Sequence, residues 1–158
     1  MNTEEPVEVS GYVTVNIEYK DGRKEKREFK NTILRKGREA LAKSLANDLG
    51  DTYQFYVNRM LFGDGGTAGG SVKYVDTVRN GLFGISRASK SVIAQVDPNI
   101  PSQVVFTAVL GFSDANGYAI NEMALQMSNG DLYSMATFLD LNKTDQMQIT
   151  WNWRISFV

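Results

Sequence analysis

The chain has 158 residues, a length that suits one domain, since domains commonly run about 100 to 150 residues, and its 42% hydrophobic residues can supply a core hiding roughly 70% of the extended chain's surface. Neither cysteine nor histidine occurs, which excludes disulfides, thiolate and imidazole metal ligands, cysteine nucleophiles and histidine-based acids, bases and triads. Seventeen Lys and Arg oppose eighteen Asp and Glu for a net charge of −1, so no overall positive field recruits nucleic acid, and the composition favours a structural or binding part over an enzyme.

The acidic start, Met1 to Pro6, lacks the basic and apolar regions of a secretory signal, and no apolar run approaches the roughly 20 residues of a bilayer span. Neither export nor membrane contact is expected. From Gly11 to Tyr19, Val13, Val15, Ile17 and Tyr19 alternate with Thr14, Asn16 and Glu18, the period of a strand with one buried face. Lys20-Asp21-Gly22-Arg23 carries the Asp-Gly pair of tight hairpin turns, so Arg23 to Phe29 is expected to return antiparallel. That limb is charged on both alternating faces through Arg23, Lys24, Glu25, Lys26, Arg27 and Glu28, and neither face suits a core. It reads as an edge strand guarded by charge, or as an arm lying on an acidic neighbouring subunit. No aromatic residues interleave the basic ones, so no nucleic-acid contact is assigned. Residues 1–30 are read as an N-terminal arm and hairpin, and 31–158 as the domain that follows.

Asn31 and Thr32 suit a turn, because their side chains bond readily to local backbone amides. Ala40, Leu41, Leu45 and Leu49, with Ala42 and Ala46, recur at spacings of three and four, which predicts one helix over about 37–49 with a leucine face. Gly50 reads as its stop signal. Phe55, Val57, Met60 and Phe62 follow in an extended pattern, and Gly63-Asp64-Gly65-Gly66-Thr67-Ala68-Gly69-Gly70 reads as a flexible surface loop. It lacks the Gly-Lys-Ser/Thr ending of a phosphate cradle.

The remainder reads as strands over Ser89 to Val96, Val104 to Phe112, Tyr118 to Met127, Leu132 to Leu139 and Met147 to Phe157, separated by turn-forming clusters. In the last, Met147, Ile149, Trp151, Trp153, Ile155 and Phe157 alternate with Gln148, Thr150, Asn152, Arg154 and Ser156, so its register should be firmly set. An all-β fold with one helix is expected: a two-sheet β-sandwich, jelly-roll-like, with an N-terminal β-hairpin. Met123, Leu125 and Met127 read as core.

Chemistry is hard to find in this sequence. Glu122 stands on the strand face opposite Met123 and Leu125, which suits a solvent or interface carboxylate, or else a buried acid paired with Arg59, Arg79 or Arg154. Asp64, Asp76, Asp97 and Asp114 lack the alternating spacing of a calcium loop. Ser86 and Lys90 do not by themselves define a dyad. No catalytic, cofactor-binding or metal-ligating residue is assigned, and no cofactor is implied. A carbohydrate-binding module is an alternative of another class, since Tyr53, Tyr56, Tyr74, Tyr118 and Tyr133 could present rings to sugars.

The order of motifs resembles a group of tailed-bacteriophage virion proteins. Asn31-Thr32-Ile33-Leu34, the Gly37-Arg38-Glu39-Ala40-Leu41-Ala42 helix and Asn58-Arg59-Met60-Leu61-Phe62-Gly63-Asp64-Gly65-Gly66 carry the front half. Ala119-Ile120-Asn121-Glu122-Met123-Ala124-Leu125, Gly130-Asp131-Leu132-Tyr133-Ser134-Met135-Ala136 and Lys143-Thr144 before Ile149 to Ile155 carry the back half. This resemblance implies a non-enzymatic virion component made in the host bacterial cytoplasm: first a capsid decoration or cement protein, alternatively a neck, tail or baseplate part. Its partners would be the major capsid protein or neck and tail proteins, together with copies of itself in a homo-oligomer such as a trimer. Arg23, Lys24, Lys26, Arg27, Asp64, Gly65 and Gly66 are the expected partner interface, from the charged limb and the glycine-rich loop.

Overall fold

The computed structural model describes residues 8–48 and 55–157. Strand β1 (Val9–Tyr19) runs into a turn where Gly22 takes φ 90°, a left-handed conformation that glycine adopts without strain. The Tyr19 N–H donates to the Arg23 carbonyl oxygen at 2.9 Å, closing a hairpin onto β2 (Lys24–Lys30). Then follow β3 (Thr32–Ile33), α1 (Arg35–Leu45), β4 (Val57–Gly63), a short ribbon of β5 (Thr67–Ala68) and β6 (Ser71–Val72), β7 (Ser86–Ser91) and β8 (Ile93–Val96). The chain ends with β9 (Gln103–Leu110), β10 (Ala119–Met127), β11 (Leu132–Asn142) and β12 (Met147–Phe157). Two antiparallel five-stranded sheets result, ordered β2-β1-β12-β9-β8 and β3-β11-β10-β4-β7, beside the two-stranded β5-β6 ribbon. They pack as the two-sheet β-sandwich expected from the sequence, with one α-helix among the described residues.

The core follows from the alternation of β12. Trp151 and Trp153 are fully buried between β1 and β9, opposite Val15 and Ala108 and opposite Val13 and Phe106. From the second sheet, Phe62 and Phe138 bring their rings to 4.8 and 5.6 Å from that of Trp151, distances at which aromatic pairs attract beyond their burial. Met123, Leu125 and Met127 lie in the same core, as expected.

Three local expectations are corrected. The stretch Ser89 to Val96 is two strands in different sheets, because the chain crosses the side of the sandwich at Val92, whose side chain stays packed on the core. A crossing that keeps one apolar residue inward leaves the alternation without a mark. Helix α1 starts at Arg35 and its stop is Asn47, in the left-handed conformation at φ 55°. The Asp48 N–H donates to the Lys43 carbonyl and the Asn47 N–H to the Ser44 carbonyl, at 2.8 and 3.2 Å, the pair of bonds that closes a Schellman motif. Leu49 and Gly50 lie outside the described residues, as do Met1 to Pro6. The helix rests on β11 through Gly37 and Ala40, while Leu41 and Leu45 are 41% and 91% exposed. Asn31 and Thr32 do not form the turn expected before it: Thr32 is in β3 and pairs with β11, and Leu34 is the N-cap without a side-chain bond.

The charged limb is the third: it is an edge strand, as expected, but the expectation that neither of its faces packs is not met. β1 pairs with β12 along its whole length, so the hairpin is built into the first sheet and β2 is its edge. One face of β2 is half-buried: Phe29 stacks on Phe138 at 4.6 Å, and Arg27 Nη1 donates to the Leu139 and Asp140 carbonyl oxygens at 3.1 and 3.3 Å. An arginine can lay its aliphatic stem against a core while its charged head reaches polar atoms, which pattern reading by charge overlooks.

Candidate interaction surface

The outer face of the second sheet is covered. Leu34, Val75, Ala124, Leu132 and Met135 form a second buried apolar cluster there, with Leu61, Leu82 and Phe83 partly buried against it. Within this layer Glu122 is fully buried. Its Oε1 accepts from the Gly65 and Gly84 N–H groups at 3.0 and 2.9 Å, and its Oε2 from the Phe83 N–H at 2.7 Å. Alternation places Glu122 correctly opposite Met123 and Leu125, but that face meets a folded loop rather than solvent or an arginine. Backbone amides are the counter-groups, and charge-assisted bonds of this kind are about twice as strong as neutral ones.

A β-bulge between Ile120 and Glu122 turns the neighbouring Asn121 to the same loop. Its Oδ1 accepts from the Gly66 N–H at 2.7 Å, and its Nδ2 donates to Thr67 Oγ1 and Asp140 Oδ1, both at 3.0 Å. A Cβ on Gly66 would run into the Asn121 carbonyl oxygen, so the glycine allows this close approach. Gly63 to Gly66 is therefore clamped rather than a flexible surface loop. Only Gly69 and Gly70 form an exposed turn, at the tip of the β5-β6 ribbon.

These bonds join the glycine-rich segment to the charged limb. Asp140 accepts from Asn121 and also from Thr67 Oγ1 at 2.9 Å, and the two hydrogen bonds hold its carboxyl below the usual carboxylate range. On its other side Arg27 binds the backbone of Leu139 and Asp140. Between β2 and the ribbon lies an open depression of about 700 Å³, lined by Arg27, Glu28, Phe29, Val72, Leu139 and Asp140 among others. Leu139 is 61% exposed there.

The structure thus brings Arg27 and the Gly66 segment to one stretch of β11. The remaining expected interface residues have local partners. Arg23 pairs with Asp21 at 2.8 Å, Lys26 with Glu28 at 2.9 Å, and Lys24 stands 4.0 Å from Glu18. Asp64 pairs with Arg87 at 2.8 Å, whose guanidinium lies over the Tyr118 ring. Asp76 and Asp97 accept from the turn amides of Val78 and Asn99, and Asp114 pairs with Lys90. Among the described residues no three acidic side chains converge as metal ligands would. Of the tyrosines, Tyr133 is buried, Tyr56 and Tyr74 line separate depressions, and Tyr53 lies outside the described residues.

Sequence reading missed Asn121, Asp140 and Lys143. Lys143 is 1% exposed, donates to Asn116 Oδ1 and the Thr144 carbonyl oxygen at 2.8 Å each, and burial pushes its amine below the ordinary lysine value. A glycine-rich segment whose amides need acceptors was the available signal for Asn121 and Glu122.

Two layers of β-sheet, loops locked by buried polar groups and an edge strand covered in charge define a rigid structural module. The family model for the N-terminal region of phage tail-collar fibre proteins matches residues 26–155. The chain belongs to this family and is a structural protein of the tailed-phage virion. No curated protein and no solved structure matches the chain. The match gives no support to the leading expectation of capsid decoration and fits the tail alternative better, since the family is one of tail-collar fibres. Among the described residues, no helix is long and apolar enough to cross a membrane.

Proposed function

We propose that this domain is a non-enzymatic attachment module of the phage tail, which holds a collar fibre against neighbouring tail proteins and copies of itself. The docking face is the depression between β2 and the β5-β6 ribbon. Its apolar centre, Leu139, is flanked by the Arg27 guanidinium and the Asp140 carboxylate, and interfaces commonly place such a centre within a polar rim. Arg23, Lys24, Lys26 and Arg27 supply the charged edge. Asp64, Gly65 and Gly66 act by fixing the ribbon. The exposed Leu139, held between two elements that hydrogen bonds tie to its own strand, is the observation that carries this reading.

Gold-labelled antibodies against the domain should decorate the tail or its collar in electron micrographs of virions; labelling of the capsid surface would refute the assignment. Leu139→Asp, in a domain whose circular dichroism is unchanged, should abolish incorporation into tails. Normal incorporation would place the docking face elsewhere.

A further inference from the structure

The two edges of the first sheet differ in chemistry. β2 carries Lys24, Glu25, Lys26, Arg27, Glu28 and Lys30, whereas β8 at the other edge is Ile93-Ala94-Gln95-Val96, without charge. Ile93 and Val96 are 74% and 59% exposed. Edges that must not pair are usually blunted by charge, and β8 lacks that guard.

Its backbone is also oriented for pairing. The Asp97 N–H donates to the Gln103 carbonyl oxygen at 2.9 Å, in line with the register Ile93↔Thr107 to Val96↔Val104. Antiparallel ladders alternate bonded and non-bonded pairs, so the N–H and C=O groups of Ala94 and Val96 face outward from β9. Beside this edge an apolar groove of about 280 Å³ opens between the sheets, lined by Leu41, Phe55, Ala94, Val104, Phe106 and Phe157 among others. Ala94 and Val96 share a strand face, because side chains alternate, and that face borders the groove. Lys43, next to the lining residue Ser44, has its Nζ 5.7 Å from the centre of the ring of Phe55, which lines the groove. Lys43 forms no salt bridge among the described residues.

We propose that the outer edge of β8 is a strand-addition site, where an extended segment of a partner protein pairs with Ala94 and Val96. The segment sends alternate apolar side chains into the groove and sets a carboxylate against Lys43. Main-chain bonds supply affinity in such recognition, and pockets for alternate side chains supply specificity. This site is separate from the docking face at β2 and stands whether or not that face binds.

The test is an NMR titration of the full chain with a synthetic peptide of alternating valine and threonine ending in glutamate. Shift changes should be confined to β8 and the groove lining, and hydrogen exchange at the Ala94 and Val96 amides should slow. Val96→Pro removes an outward N–H that the ladder does not use, a position where an edge strand tolerates proline. It should weaken binding about tenfold or more without lowering the melting temperature. Ala94→Arg, which obstructs the groove and keeps the backbone, should weaken it similarly. A peptide of threonine alone should not bind. Affinity in either variant equal to that of the unsubstituted chain, shifts elsewhere or no shifts at all would overturn the proposal. So would an edge already taken, either by residues 49–54 of the same chain or by a second copy in a dimer that Val96→Pro disperses.

Discussion

Strands β12 and β10 are each the central strand of a five-stranded sheet, yet one alternates cleanly between buried and half-buried positions while the other is buried at nearly every position. The inner faces are alike, both packed into the common core. The outer faces differ. That of β12 carries Gln148, Thr150, Asn152 and Arg154, all half-buried, whereas that of β10 carries Glu122 and Ala124 beneath a folded layer. A polar residue on a strand's outer face therefore has no single meaning. On β12 it meets partial solvent; on β10 it organises the loops that cover it.

Substitutions can break or sharpen this contrast. The largest effect belongs to the shared interior: Trp151→Ala should cost about 3–5 kcal/mol in urea-unfolding free energy, and a loss below about 1 kcal/mol would deny the indole its central place. Glu122→Ala comes next, at about 2–4 kcal/mol. It strips the acceptor from three amides, each worth about 1–3 kcal/mol when buried without a partner, while water entering the vacated space recovers part. Glu122→Gln, which keeps one acceptor oxygen, should lose less; a cost for Glu122→Ala like that of a surface change would mean the loop is not held by the carboxylate.

Gly66→Ala should cost about 1–3 kcal/mol, because its methyl group forces the loop away from the Asn121 carbonyl, and slowed exchange at the Gly65 and Gly66 amides should be lost with it. The smallest effect lies on the outer face of β12. Asn152→Ala removes the acceptor of the Thr107 hydroxyl at a cost of about 0.5–1 kcal/mol. If thermal unfolding shows it equal to Glu122→Ala, the distinction between the two outer faces fails.

Legibility tracked what each residue packs against. The hairpin turn at Asp21-Gly22, the alternation of β1 and β12 and the helix near Ala40 are local, and each stands in the structure close to where the pattern places it. Leu45 shows the limit: it completes an apolar helical face on paper, yet it is 91% exposed because the helix meets β11 through Gly37 and Ala40. Arg27 shows the converse, a charged residue whose guanidinium is consumed by backbone carbonyls of the opposing sheet. Of the proposed docking surface, the charged limb and the glycine-rich segment were visible as separate features. Their meeting at Asp140 was not, since the bonds joining them span Thr67 to Asp140 and Arg27 to Leu139.

The amino-acid order alone determined that this chain builds a β-sandwich, because period-two burial and turn chemistry act between near neighbours and need no knowledge of distant segments. It also determined that histidine and cysteine chemistry is absent. Only the tertiary structure decided which outward face is covered, where the chain changes sheets at Val92, and which edge is left without charge beside an open groove. Those outcomes depend on contacts between residues far apart in sequence, whose free energy is set by burial and by hydrogen-bond geometry that no local pattern encodes.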